Sequence, residues 1–185
     1  KSTGKSTITQ DISIYRSIPR IDFRTEVDWY EKRRLLKVAF PVDVLARDAT
    51  YEVQYGAIRR PTHQSTPIDR AKFEVPGHRW IDLSEGDYGV SLLNDCKYGF
   101  DVQGNTMRIS LLRSTTSPDP VADEGRHEFV YSLYPHADDW RQARTVQRGY
   151  ELNAPLIARA TDAHTGALPA AYGLVAVDRS NIVID

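Results

Sequence analysis

Ile8, Ile12 and Ile14 alternate with polar residues. After a break at Ser17-Ile18-Pro19-Arg20 the alternation resumes with Ile21, Phe23, Thr25, Val27 and Trp29. A period of two places these side chains on one face of a pleated strand, so both segments are predicted as half-buried strands. Asp22, Arg24, Glu26 and Asp28 take the opposite positions, the pattern of a solvated sheet face. A charged turn, Tyr30 to Arg34, leads to an extended segment from Leu35 to Val44. Its Pro41 belongs at an edge or bulge, because proline has no N–H to give a central ladder. Thr50 to Tyr55 is rich in β-formers and ends at Gly56-Ala57, and residues 59–67 are predicted as a long polar loop. Short strands surround Pro76-Gly77-His78, at Phe73 to Val75 and at Trp80 to Leu83. His127, Phe129, Tyr131 and Leu133 alternate as a later strand that closes at Pro135. Helical spacing occurs only between Asp138 and Leu152, where Trp140, Ala143, Val146 or Gln147, and Tyr150 recur and Asp138 or Asp139 is placed to cap. Further short strands are predicted at residues 156–158, 174–177 and 182–185, with residues 163–166 as a turn.

The stretch from Ser84 to Asn105 organises the rest. A short apolar run, Val90 to Leu93, has the length of a buried strand and is followed at once by Asn94-Asp95-Cys96-Lys97-Tyr98-Gly99. Phe100 to Val102 is extended again, Gln103-Gly104-Asn105 signals a turn, and Met107 to Leu112 opens another strand. An acid, a base, a carboxamide and a phenol thus fall together in one loop at a strand end, where a rigid β scaffold presents chemistry. The plainer alternative is a polar turn, with Asn94 and Asp95 bonding their own backbone. Many short strands with frequent turns and one short helix predict an all-β antiparallel sandwich. Residues 1–155 are assigned to it. Residues 156–185, richer in alanine, are assigned to the start of a further small β segment, and the strand pattern at the last residues suggests truncation.

A chain of 185 residues suits one sizeable domain with its own core. Hydrophobic residues make up 41% and charged residues 26%, and the net charge is −1. Nucleic acid and anionic membrane are therefore not expected partners. No apolar run reaches the roughly 20 residues of a membrane span, and the opening Lys1-Ser2-Thr3-Gly4-Lys5 does not read as a signal peptide. Cys96 is the single cysteine, so no internal disulfide forms, which fits a reducing, cytoplasmic compartment.

Individual candidates for chemistry are weaker. Glu85-Gly86-Asp87 offers two acids, yet glycoside hydrolysis needs a pair held roughly 5 to 10 Å apart across a sugar, and an acid-Gly-acid step is more often a turn. There is no phosphate-binding glycine loop, no Gly-x-Ser-x-Gly elbow and no His-x-x-x-His pair. His63, His78, His127, His136 and His164 are dispersed, one to a loop or strand. Trp29, Trp80 and Trp140 have faces suited to sugars, but core packing explains those on strands.

Long blocks carry more. Arg20 to Trp29, Leu36 to Pro41, Arg60-Pro61-Thr62-His63, the Ser84–Asn105 stretch and Tyr134-Pro135-His136 together resemble the C-terminal β region of glycoside hydrolase family 38 (class II) α-mannosidases. The similarity is closest to the cytosolic and bacterial branch and runs from about Thr7 to Pro155. The resemblance implies a galactose mutarotase-like supersandwich. It also implies a retaining, zinc-dependent enzyme whose zinc and nucleophilic aspartate lie in an N-terminal domain absent from this chain, so this chain holds no cofactor and no catalytic residue. Its partners would be that N-terminal catalytic domain and a mannose-containing oligosaccharide. In some relatives an Asp-Arg pair follows the equivalent strand, with the arginine near the sugar. Here the residues are Asp95-Cys96-Lys97, so Lys97 is assigned the cationic role, Asp95 its orientation or a sugar hydroxyl, and Tyr98 the pocket wall. Asn94, Arg60 and Arg113 complete the substrate-binding candidates.

The expectation is a non-catalytic sandwich that packs on the catalytic domain and lends it a loop. A freestanding carbohydrate-binding or protein-interaction module is the alternative. A complete small hydrolase would need a paired-carboxylate cleft, and the missing metal-ligand motifs argue against it.

Overall fold

A computed structural model describes residues 2–163, 165–167, 169–179 and 181–184. Its elements, in chain order, are β1 (Ser2–Thr3), β2 (Ser6–Ile14), β3 (Ile21–Trp29), β4 (Leu35–Pro41), β5 (Asp48–Val53), β6 (Gly56–Pro61), α1 (Pro67–Ala71), β7 (Val75–Pro76), β8 (Trp80–Glu85), β9 (Tyr88–Asn94), β10 (Gly99–Gln103), β11 (Thr106–Arg113), β12 (Gly125–Ala137) and α2 (Thr145–Asn153). They build two antiparallel sheets. The larger runs β1-β2-β3-β12-β9-β8-β5-β6 and the smaller β4-β11-β10-β7. The all-β sandwich expected from the alternation is the architecture observed.

The period of two decides which residues meet. Val27 and Trp29 on β3, Ile81 and Leu83 on β8, Val90 and Leu92 on β9, and Phe129 and Tyr131 on β12 point between the sheets. There they pack against Phe100, Met107 and Ile109 of the smaller sheet. Leu92 and Ile109 have no exposed surface at all. At roughly 25 cal/mol per Å² of apolar area removed from water, this two-sided layer is the main source of stability. The alternate positions of β8, β9 and β12 face the other way. Trp80, Leu93 and Tyr134 form a second cluster there, covered by Trp140, Val146 and Leu152 from the region of α2. Gly149 lets α2 come close, since a Cβ at that position would stand 3.2 Å from Trp80 Cδ1.

Several local expectations are corrected. Residues 59–67 are not one loop. β6 pairs with β5 in register from Gly56 to Pro61, and α1 follows. Strand β6 escapes a hydrophobicity reading because it ends the larger sheet with Ile58 and Arg59 exposed. Helix α1 carries a legible signal: Thr66 accepts from Asp69 N, Asp69 answers at Thr66 N, and Pro67 takes the first turn. β12 does not close at Pro135 but continues to Ala137, with Pro135 opposite Val90. α2 starts later than predicted, because Asp139 caps the turn before it, receiving the backbone N–H of Arg141 and Gln142. The chain divides into two units between Ala154 and Pro155. Among the described residues after Ala154 there is no strand, contrary to expectation. Leu156, Ile157 and Leu174 are almost fully exposed, so their apolar runs have no sheet to join. His164 and Asp185, in the predicted turn and final strand, lie outside the described residues.

Candidate functional site

The loop after β9 is short and changes sheets. β9 belongs to the larger sheet and β10 to the smaller, and only Asp95 to Tyr98 separate them. Asn94 makes the corner. Its carboxamide oxygen accepts from Cys96 N at 3.1 Å and from Lys97 N, and its amide nitrogen donates to the His78 carbonyl at 2.8 Å. Asp95 ties the loop to β12: its backbone N–H donates to Val130 O, and its carboxylate receives Val130 N at 2.9 Å. Lys97 lays its ammonium 4.4 Å from the centre of the Phe129 ring, a cation–π contact. Burial pushes the neighbouring Cys96 thiol up to about 11, with the Asp95 carboxylate adding to the shift, so it is no ready nucleophile.

Tyr98 is the aromatic member of the loop and faces solvent. It is 62% exposed, with its ring edge-on to His78. It lines a groove of about 670 Å³ together with Arg113, Arg33, Leu35 and Phe73. The backbone N–H of Arg113 donates to the Asp123 carboxylate at 2.8 Å, and Arg113 lines the groove. Arg60 stands elsewhere, in a cavity of about 490 Å³, and only Glu74, Val75 and Pro76 line both spaces. Of the six substrate-binding candidates the structure therefore brings Tyr98 and Arg113 together. It spends Asn94 and Asp95 on the backbone, packs Lys97 on Phe129 and sets Arg60 apart.

Sequence reading passed over a buried polar cluster on the α2 side of the larger sheet. Asp82 Oδ2 lies 2.9 Å from His136 Nε2 and accepts from Ser91 Oγ at 2.8 Å. Ser91 Oγ also meets Thr145 Oγ1 on α2 at 2.8 Å. Ser84 Oγ donates to the other carboxylate oxygen. A hydrolytic triad places carboxylate and serine on opposite ring nitrogens. Here both address Nε2, and Nδ1 is 3.2 Å from the Ala137 carbonyl. The cluster is a polar clamp between α2 and the sheet. Its signal was present: Asp82, Ser91 and His136 are polar residues at alternate positions of otherwise apolar strands. Burial works against the imidazolium of His136, but the Asp82 carboxylate outweighs it and holds its pKa above the usual value.

The other candidates fall into structural roles. Glu85, Gly86 and Asp87 form the tight β8–β9 turn, with Glu85 opposite Tyr88. Trp29 and Trp80 are buried, and Trp140 packs on Trp80 at 4.9 Å. His63 pairs with Ser65, and His127 with the Asp123 carbonyl. Among the described residues no three His, Cys, Asp or Glu side chains converge as ligands.

Comparison with known proteins gives a consistent result. Residues 1–121 match the family model described as the glycosyl hydrolases family 38 C-terminal domain. The chain is 48% identical over 153 residues to mouse "Alpha-mannosidase 2C1" and 47% identical over 151 residues to "Alpha-mannosidase G" of Dictyostelium discoideum. These alignments take in 83% and 82% of this chain but only 15% and 14% of the relatives, so it spans about a seventh of their length. A crystal structure of an α-mannosidase from Enterococcus faecalis superposes with a TM-score of 0.76 over 87% of this chain and 19% of that one. At 20% identity that likeness concerns the fold.

Proposed function

The chain belongs to glycosyl hydrolase family 38 as its C-terminal domain, and from that membership we infer that it serves as the non-catalytic β-sandwich portion of a longer α-mannosidase. The observation that carries this reading is the alignment itself: nearly half the aligned residues are identical over most of this chain, which occupies a small part of each named mannosidase. The activity assigned to the longer polypeptide is retaining hydrolysis of α-mannosidic bonds in oligosaccharides, in the cytoplasm. Its zinc and nucleophile belong to the portion outside this chain, and no step of the reaction is routed through residues described here.

The sandwich contributes packing and one loop. Asn94 and Asp95 fix the loop to His78 and Val130, and the rigid corner presents Tyr98 beside Arg113. An exposed phenol ring offers a face to the C–H side of a sugar, and a guanidinium offers a fork of donors to its hydroxyls. Lys97, held along Phe129, supplies a second cation next to that corner. The exposed Tyr98 ring also favours a second reading, a module that binds mannose by itself.

The test is hydrolysis of an aryl α-mannoside by this chain with and without zinc, beside calorimetry with mannose. Neither turnover nor binding supports the accessory role. Binding without turnover supports the module. Zinc-dependent turnover by this chain alone overturns both.

A further inference from the structure

Strands β6 and β7 end their respective sheets, and the sandwich stays open between them. The opening is the cavity of about 490 Å³ lined by Tyr51, Ile58, Arg60, Lys72, Pro76 and Asp101. Arg60 spans it. Its Nη1 donates to the Pro76 carbonyl across the gap at 2.8 Å, and its guanidinium lies 4.5 Å over the Tyr51 ring. Both contacts fix the group's plane and leave most of its N–H donors uncommitted.

The cavity also has carboxylates, Asp69, Glu74 and Asp101, none of which pairs with Arg60. Asp101 is bracketed by Lys37 and by Arg108 at 2.7 Å, whereas Glu74 has only an ion pair with Lys37 at 3.6 Å and its buried Oε1 has no hydrogen-bond partner among the described residues. Asp69 is turned onto the Thr66 cap. Among the described residues, the contacts of Arg60 are a carbonyl and a ring, with no carboxylate. A half-buried cation without a counter-charge is costly, and burial lowers the Arg60 pKa accordingly. An arriving anion would remove that cost. Ile58, beside Arg60 on β6, with Val75 and Pro76 of β7, gives the cavity an apolar lining that suits the body of a small molecule.

We propose that the cavity between β6 and β7 binds a small organic oxyanion of about monosaccharide size, its carboxylate or phosphate group received by the Arg60 guanidinium with Lys72 as flanking charge. A planar fork matches both head groups, so the structure names their shared chemistry. The inference stands on this chain's own geometry and does not depend on the mannosidase reading.

The experiment titrates the 185-residue chain with glucuronate and with glucose 6-phosphate, using mannose as the neutral control. Binding is followed by calorimetry and folding by thermal melts. One or both oxyanions bind with a stoichiometry of one and weaken as salt is raised, and mannose does not displace them. The tighter of the two identifies the head group. Arg60→Gln weakens binding by about tenfold or more, the scale of a lost charge-assisted hydrogen bond. Arg60→Lys keeps the charge but loses the fork, and Lys72→Gln sits at an exposed position. Both remain folded, and each lowers affinity severalfold. No binding of either oxyanion overturns the proposal, as does binding that Arg60→Lys and Lys72→Gln leave unchanged.

Discussion

His136 Nε2 lies 2.9 Å from Asp82 Oδ2, and both side chains are 98% shielded from solvent. The pair joins β12 to β8 across β9, and Ser91 of β9 ties both to Thr145 of α2. With the His136 pKa raised in the folded state, its contribution to stability is fully present below the unfolded value of about 6.5 and is lost as pH rises through the folded value. The melting temperature is expected to fall across that window, and His136→Gln to flatten the fall. Thermal melts from about pH 5 to about pH 9 check it. An equal slope in the variant would sink the assignment.

Gly89 faces the same pair. A Cβ there would stand within 2.5 Å of His136 Cε1 and collide with Ser84 Oγ. Gly89→Ala is therefore expected to cost about 1 to 3 kcal/mol, the usual penalty for overpacking. Urea unfolding of the variant beside the parent chain measures it. A change within error would mean that β9 and β12 shift freely.

In the layer between the sheets, Leu92→Ala removes a fully buried side chain. The expected loss is about 2 to 5 kcal/mol. Ile12→Ala, at a position 61% exposed, serves as the contrast, with a loss of about 0.5 kcal/mol or less. Denaturant midpoints of the two variants should differ clearly.

Within the sheet-changing loop, stability and binding are expected to separate. Asn94→Ala strands the N–H groups of Cys96 and Lys97 and the His78 carbonyl, a cost of about 1 to 3 kcal/mol for each buried group left unpaired. Tyr98→Ala, at an exposed ring, should leave the melting temperature nearly unchanged. In the full-length enzyme it is expected to raise KM for a mannoside. Kinetics that ignore Tyr98→Ala, with Lys97→Ala equally silent, would remove this loop from the substrate pocket.

The alternation of Ile21 to Trp29 and of His127 to Leu133 announced β3 and β12, and Val90 to Leu93 announced β9, because burying one face against a layer demands a period of two. The edge strand β6 was not announced, since a strand with both faces near solvent has no such demand to meet. Its partner in the open side of the sandwich, β7, is two residues long. The Arg60 cavity arises only where these two ends stand apart.

From residue order alone follow the sandwich class, the turns at Glu85-Gly86-Asp87 and Gly104-Asn105, and the kinship that the long blocks carry. Each rests on local periodicity or on contiguous identity, which a linear chain displays directly. The joining of Asp82, Ser91, His136 and Thr145, the separation of Arg60 from Tyr98, and the commitment of Asn94 to the backbone were decided by tertiary pairing. These residues lie up to dozens of positions apart, and register between strands, which sequence spacing does not encode, determines which side chains come within bonding distance.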